Sequence, residues 1–194
     1  METVEQKYKL ARNRLNLSLS FEKEQIDFIK KVYILISQTF KSQGKLYWCG
    51  NGGSAAMASH LSAELLGRFK ISNRKPLSSI SLSSEVALIT AISNDFNFSD
   101  VFSRQLRGLA NKHDLLLVMS ASGKSQNIIR ALEVAKEIGM ISVAFLGNDG
   151  GLCKDISDFN LIINSEDTTT IQESHLFIGH LICDLVDRDY EKLK

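Results

Sequence analysis

The 194-residue chain carries 23 basic and 22 acidic side chains, a formal net charge of +1, and 44% of its residues are hydrophobic. That balance excludes the basic field on which nucleic-acid backbone binding rests, and the apolar content suffices for a single domain over 1–194 with a real core. Cys49, Cys153 and Cys183 are odd in number, far apart and free of any CxxC pair, which speaks against a disulfide framework or a thiolate zinc site and fits a reducing cytoplasm.

The N-terminus, METVEQKYKLARNR, mixes both charges without an apolar stretch, and no apolar run approaches the roughly 18 residues of a membrane span, so the chain reads as cytoplasmic and not membrane-bound. Residues 1–43 place Ile26, Ile29, Val32, Leu35, Ile36 and Phe40 at helical spacing, predicting two helices ahead of a core at 44–194. Short apolar or β-branched runs follow at LYWC (46–49), LSSISL (77–82), LLLVMS (115–120), ISVAFLG (141–147) and FNLII (159–163). Each is followed by turn residues and then a helical segment: an Ala-rich helix from about Ser54, EVALITAI with a second piece near VFSRQLRGLA, the amphipathic IIRALEVAKEIG, and a short turn around LCKDIS. Strand and helix alternating in this way predict an α/β fold, a parallel sheet of five strands flanked by helices. The last segment, TTIQESHLFIGHLICDLVDRDYEKLK, is a long helix that is apolar nearly all round from Ile171 to Val186. Such a helix has to be buried, in part against another subunit.

Ligands of parallel sheets collect beyond the carboxyl ends of the strands. GNGGSA (50–55) follows the first strand, where Gly52 and Gly53 let the backbone curl tightly and approach a ligand, although a plain turn with Ser54 capping a helix reads equally well. SASGKSQN (120–127) follows LLLVMS, and its Ser120, Ser122 and Ser125 surround Gly123 at a helix start, whose free N–H groups favour an anion. One cap needs one serine, so the loop points to a phosphate monoester; it is neither GxxxxGK[ST] nor GxGxxG, and nucleotide binding is not indicated. His60 and Glu64, four apart, share a helix face among Ala and Leu residues, a setting for proton abstraction as well as for a simple ion pair. Gln172, Glu173, His175 and His180 interrupt the apolar last helix and need partners. Glu173 and His180 lie closest to one face, and Gln172 is about 80° from His180, so spacing leaves Gln172 and Glu173 as alternatives. Arg68, Asn94 and Asp95 at element ends are further candidates.

GNGGSA, HLSAEL, LITAISND, VFSRQL, SASGKSQN and IQESHLFIGHLICDLVD, in that order over most of 45–187, resemble the phosphoheptose isomerases of the sugar isomerase (SIS) fold. The resemblance implies an SIS-type sheet and an aldose–ketose isomerase that converts sedoheptulose 7-phosphate to D-glycero-D-manno-heptose 7-phosphate through an enediol. That is the first step toward nucleotide-activated heptose for lipopolysaccharide, capsule or related glycans. It further implies a homotetramer with active sites at subunit interfaces. By the same resemblance Ser120, Ser122 and Ser125, with Ala121 between them, grip the phosphate. Asn51, Gly52, Gly53, Ser54, Asn94, Asp95 and Gln172 lie along the sugar, and Glu64 and His180 move the protons. The resemblance also implies a zinc ion, Zn2+, held by His60, Glu64, Gln172 and His180, which favours Gln172 over Glu173. Met57 stands where relatives commonly carry aspartate, Ala121 where threonine is usual and Thr170 where arginine is frequent, departures that bear on which sugar is preferred. Two other readings of the resemblance are a non-enzymatic SIS regulator that binds a replication initiator, whose kind lacks the Glu and His kept here, and a related sugar-phosphate isomerase.

Overall fold

The structure, a computed structural model, describes residues 3–20 and 22–189. The predicted C-terminal stretch 190–194 lies outside them. Two helices, α1 (Val4–Ser18) and α2 (Glu22–Lys41), precede the sheet. There follow β1 (Leu46–Gly50), α3 (Gly53–Leu66), β2 (Ser79–Ser81), α4 (Val86–Asp95), a 3-10 turn at Phe98–Asp100, α5 (Ser103–Leu109), β3 (Leu115–Ser120), α6 (Gln126–Ile138), β4 (Ile141–Gly147), α7 (Cys153–Ile156), β5 (Phe159–Ile163) and α8 (Thr168–Arg188). The five strands form one parallel sheet in the order β2-β1-β3-β4-β5. The expected turn around LCKDIS is the single-turn helix α7.

Burial on both faces explains why the central strands read as unbroken apolar runs. Their side chains alternate between two cores. Leu46, Trp48, Leu115, Leu117, Met119, Val143 and Phe145 face α2, α3 and α8. Tyr47, Cys49, Leu116, Val118, Ala144 and Leu146 face α5 and α6. The first core carries α8 through Ile171, Ile178, Ile182 and Val186, so one side of this helix is buried as expected. Its other side is not: Phe177 is 50% exposed and Leu181 38%. The three thiols are buried and free, and burial pushes those of Cys153 and Cys183 up to about 11 and about 12.

Of the polar groups on α8, His175 has no access to solvent. Its Nε2 donates to the Leu146 carbonyl at 3.0 Å while Nδ1 has no partner. Burial brings its pKa from 6.5 down to about 4, against a smaller upward pull from that carbonyl. A folded value below the unfolded one means the stabilisation is complete above about pH 6.5 and is lost as pH falls toward 4. By pH 5 about 2 kcal/mol should be gone. Urea unfolding at pH 7.5 and pH 5.0 should show that loss in the wild type and a smaller one in His175→Gln; equal losses would remove His175 as the cause.

Candidate active site

The chain leaves β1 toward β2 on one side and returns to β3 on the other, so a crevice opens beyond the carboxyl ends of β1 and β3. The two loops singled out by sequence meet there. Asn51, Ser54, Ser120, Ala121, Ser122 and Ser125 line a cavity of about 270 Å³, closed by Gln172 from α8. Asn51 and Asn127 exchange side-chain amide hydrogen bonds at 2.8 Å in both directions, fixing the Asn51 side chain beside the loop.

The capping alternative for Ser54 is not what forms. Gly52, at φ 54°, is the N-cap of α3, and Ser54 sits buried in its first turn, facing the cavity. Gly53 is small for a reason: a Cβ there would come within 2.6 Å of Gln172 Oε1. That approach holds the Gln172 amide over the start of α3, whereas Glu173 is exposed.

In the serine loop, Ser120 Oγ accepts from the Gly123 N–H at 3.1 Å and Ser122 Oγ from the Lys124 N–H at 3.2 Å. A hydroxyl that accepts still has its own proton to donate. Ser125 is the N-cap of α6 yet makes no side-chain cap bond, which frees its hydroxyl beside the unpaired N–H groups of the helix start. Lys124 reaches Asp149 at 3.2 Å, and both are solvent-exposed. The loop therefore meets an anion with hydroxyls, backbone N–H groups and the helix dipole. Gly123, at φ 62°, lies against the turn after β4: a Cβ there would sit 1.9 Å from the Gly150 carbonyl oxygen. Asn148 in that turn donates to the Ala121 carbonyl at 3.1 Å and also lines the cavity, as does Thr168. Sequence reading missed Asn148 and Thr168; position after the carboxyl end of β4 was the available signal for the first.

A second cluster lies farther along α3 and α8. His60 Nε2 is 2.9 Å from His180 Nε2 and 3.5 Å from Glu64 Oε1, and the three donor atoms all lie within 4.8 Å of one another. Two imidazole nitrogens in such contact share a proton or a cation, and the set of two His and one Glu suits zinc. Burial first, and then His60, hold the His180 imidazole below its ordinary pKa, against the pull of Glu64. Gln172 does not join this cluster within the chain, because eight residues of α8 separate it from His180 by about 12 Å along the axis. Asn94 and Asp95 are exposed at the end of α4, hydrogen-bonded to each other at 2.8 Å and outside the cavity; Arg68 is exposed too.

The SIS domain family matches residues 11–147, which sets the class of the protein. A phosphoheptose isomerase of Helicobacter pylori is 45% identical over 164 residues, covering 84% of this chain and 85% of that protein. That of a Nitratiruptor species is 45% identical over 174 residues, covering 88% and 92%. Among solved structures, phosphoheptose isomerase GmhA from Neisseria gonorrhoeae superposes with a TM-score of 0.86 at 33% identity, covering 95% of this chain and 97% of that one. The chain belongs to the SIS family and, within it, to the phosphoheptose isomerases, enzymes of the aldose–ketose isomerase class.

Proposed function

We propose that the protein converts sedoheptulose 7-phosphate to D-glycero-D-manno-heptose 7-phosphate in the cytoplasm, supplying heptose for nucleotide-activated glycan precursors. The observation that carries this reading is the pairing of an anion-binding serine loop with a displaced His60–Glu64–His180 cluster. From Gly53 to His60 the two are offset by about 10 Å of helix rise, room for an open-chain sugar between its phosphate and its reacting end.

In this reading Ser120, Ser122 and Ser125 hold the phosphate, and that binding energy keeps the open-chain sugar in register. Asn51, Ser54 and Gln172 orient the sugar hydroxyls at the cavity wall. Glu64 removes a proton from C1 of the ketose and returns it to C2 of the aldose. His180, neutral at working pH, moves a proton between O2 and O1, so the product is an isomer of the substrate with nothing gained or lost. A zinc ion held by His60, Glu64 and His180 would supply Lewis-acid stabilisation of negative charge on the sugar oxygens.

Exposed apolar side chains support an assembly of copies, read here as a homotetramer. Val86 on α4 is 70% exposed, and it joins Leu88 on that helix and Phe177 and Leu181 on α8 as apolar surface that a partner would cover. Asn94 and Asp95 end the same helix, α4, and reach a sugar through such an interface. Among the described residues no helix is long and apolar enough to cross a membrane.

The test is NMR of the metal-supplemented protein with sedoheptulose 7-phosphate in D2O, beside a panel of phosphorylated pentuloses and hexuloses. Appearance of the heptose with deuterium at C2 is expected; strong turnover of a shorter sugar with none of the heptulose would sink the substrate assignment. Ser122→Ala should raise KM by about tenfold or more, since a hydrogen bond to a charged group is worth about 1.5–3 kcal/mol, and leave kcat nearly unchanged. An unaltered KM would argue against phosphate at this loop.

A further inference from the structure

The loop that leads from α3 toward β2, residues 67–75, packs against α8 and carries none of the groups given a role above. Arg74 is buried in it, and its Nε donates to Asp187 Oδ1 of α8 at 2.5 Å, with both side chains almost wholly out of solvent. Its other donors go to the end of α3 and to the loop itself. Nη1 reaches the Leu65 carbonyl at 2.9 Å and that of Lys75 at 2.8 Å, and Nη2 reaches the Glu64 carbonyl at 2.8 Å. Those helix carbonyls belong to the last turn, which has no intrahelical donors of its own, so the guanidinium caps the turn that presents Glu64.

Asp187 meanwhile uses its other oxygen on the loop, accepting from the N–H groups of Lys70 at 2.9 Å and Ile71 at 2.8 Å. It follows His180 by seven residues and so lies on nearly the same stripe of α8. Loop and stripe run together: next to the two anchored N–H groups, the Phe69 ring stacks on the His180 ring, with centroids 5.8 Å apart and planes 9° from parallel. His180 also meets His60 edge to face, with centroids 5.0 Å apart and planes at 89°. The orientation of His180 is thus set by one ring held through the loop, and the place of Glu64 by a carbonyl held through the same arginine.

We propose that Arg74, Asp187 and Phe69 are positioning residues, one clamp built on the buried Arg74–Asp187 pair that registers α3 against α8 and so fixes the mutual approach of His60, Glu64 and His180. The proposal rests on reading that cluster as the reacting end of the site. It assigns the clamp to metal affinity and to kcat, and leaves phosphate binding, remote from it, to the serine loop.

The experiment compares wild type with Phe69→Leu, Phe69→Tyr and Asp187→Asn. It reads Co2+ affinity by spectroscopic titration of the metal-free protein, kcat and KM with sedoheptulose 7-phosphate, and Tm. Loss of an outer support of a metal site costs about 10–100-fold in affinity or activity. Phe69→Leu and Asp187→Asn should weaken Co2+ binding about tenfold or more and lower kcat about tenfold or more, with KM within about twofold of wild type. Phe69→Tyr, which keeps the ring, should restore both. Phe69→Leu leaves the ion pair intact, so it decides the matter even if Asp187→Asn does not fold. A Phe69→Leu protein with wild-type Co2+ affinity and kcat and only a lowered Tm would overturn the proposal and leave the clamp a stabilising element. If the wild type fails to turn over the sugar, the functional reading is what falls, and the Co2+ comparison still judges the clamp.

Discussion

Glu64→Gln should lower kcat by about 10²–10⁴-fold, the share that a well-placed general base contributes, while the protein stays folded and still binds the phosphorylated sugar. Glutamine matches glutamate in size, so the half-buried place on α3 is kept, and the Glu64 carbonyl remains bonded to Arg74 because that bond uses the backbone. What is lost is the basic carboxylate that takes a carbon-bound proton. The serine cavity is about three turns of α3 away and uses none of this side chain. Turnover followed by NMR in D2O separates the possibilities. Wild type should yield heptose 7-phosphate labelled at C2, because a proton held on the carboxylate exchanges with solvent before it returns to carbon. Glu64→Gln should yield product and label at least about 100-fold more slowly while still showing phosphate-dependent binding of the sugar. A variant that isomerises at the wild-type rate would remove Glu64 as the base.

How much of this was legible beforehand depends on how far apart in sequence the cooperating groups lie. The strands at 115–120, 141–147 and 159–163 were read to the residue, since their runs are bounded by turn residues on both sides. LSSISL was read too long. β2 is an edge strand, pairing with β1 alone, and the Leu77 N–H turns to the Leu65 carbonyl of α3 instead of the ladder. Within α3 the four-residue spacing of His60 and Glu64 was enough to place them together, and the structure does so. His180 joins them from 120 residues away, through the packing of α3 on α8, which no spacing rule contains. Resemblance supplied it. The choice between Gln172 and Glu173 was open for the same reason: the phase of α8 is set by which side meets the sheet, and that side puts Gln172 at the cavity and leaves Glu173 exposed. His175 looked like a partner of the site and is instead packed against Phe145 and bonded to the end of β4.

Gly123→Ala should be more damaging to substrate binding than loss of any one serine hydroxyl. The loop reaches its shape by two contacts that only a glycine allows: a left-handed backbone, φ 62°, and an approach to the Gly150 carbonyl that leaves no room for a Cβ, which would sit 1.9 Å from that oxygen. The obstacle is backbone, so no rotamer relieves it, and the Gly123 carbonyl is itself tied to the Cys153 N–H at 3.1 Å. The serine loop has to move away from the turn after β4, and Ser120, Ser122 and the start of α6 move with it. KM should rise about 100-fold or more as several charge-assisted hydrogen bonds are lost together, and Tm should fall by about 5–10 °C for a local cost of about 2–3 kcal/mol. Gly139→Ala is the control. It has the same kind of backbone, φ 78°, at the end of α6, but its Cβ would meet nothing nearer than Lys112 Cβ at 3.9 Å. It should cost about 1 kcal/mol of stability from the left-handed strain alone and leave KM where it was. Steady-state kinetics and thermal unfolding of the two variants side by side would distinguish a disrupted phosphate loop from general destabilisation. Equal KM values for both would mean that the serine loop does not hold the substrate, whatever the two variants do to Tm.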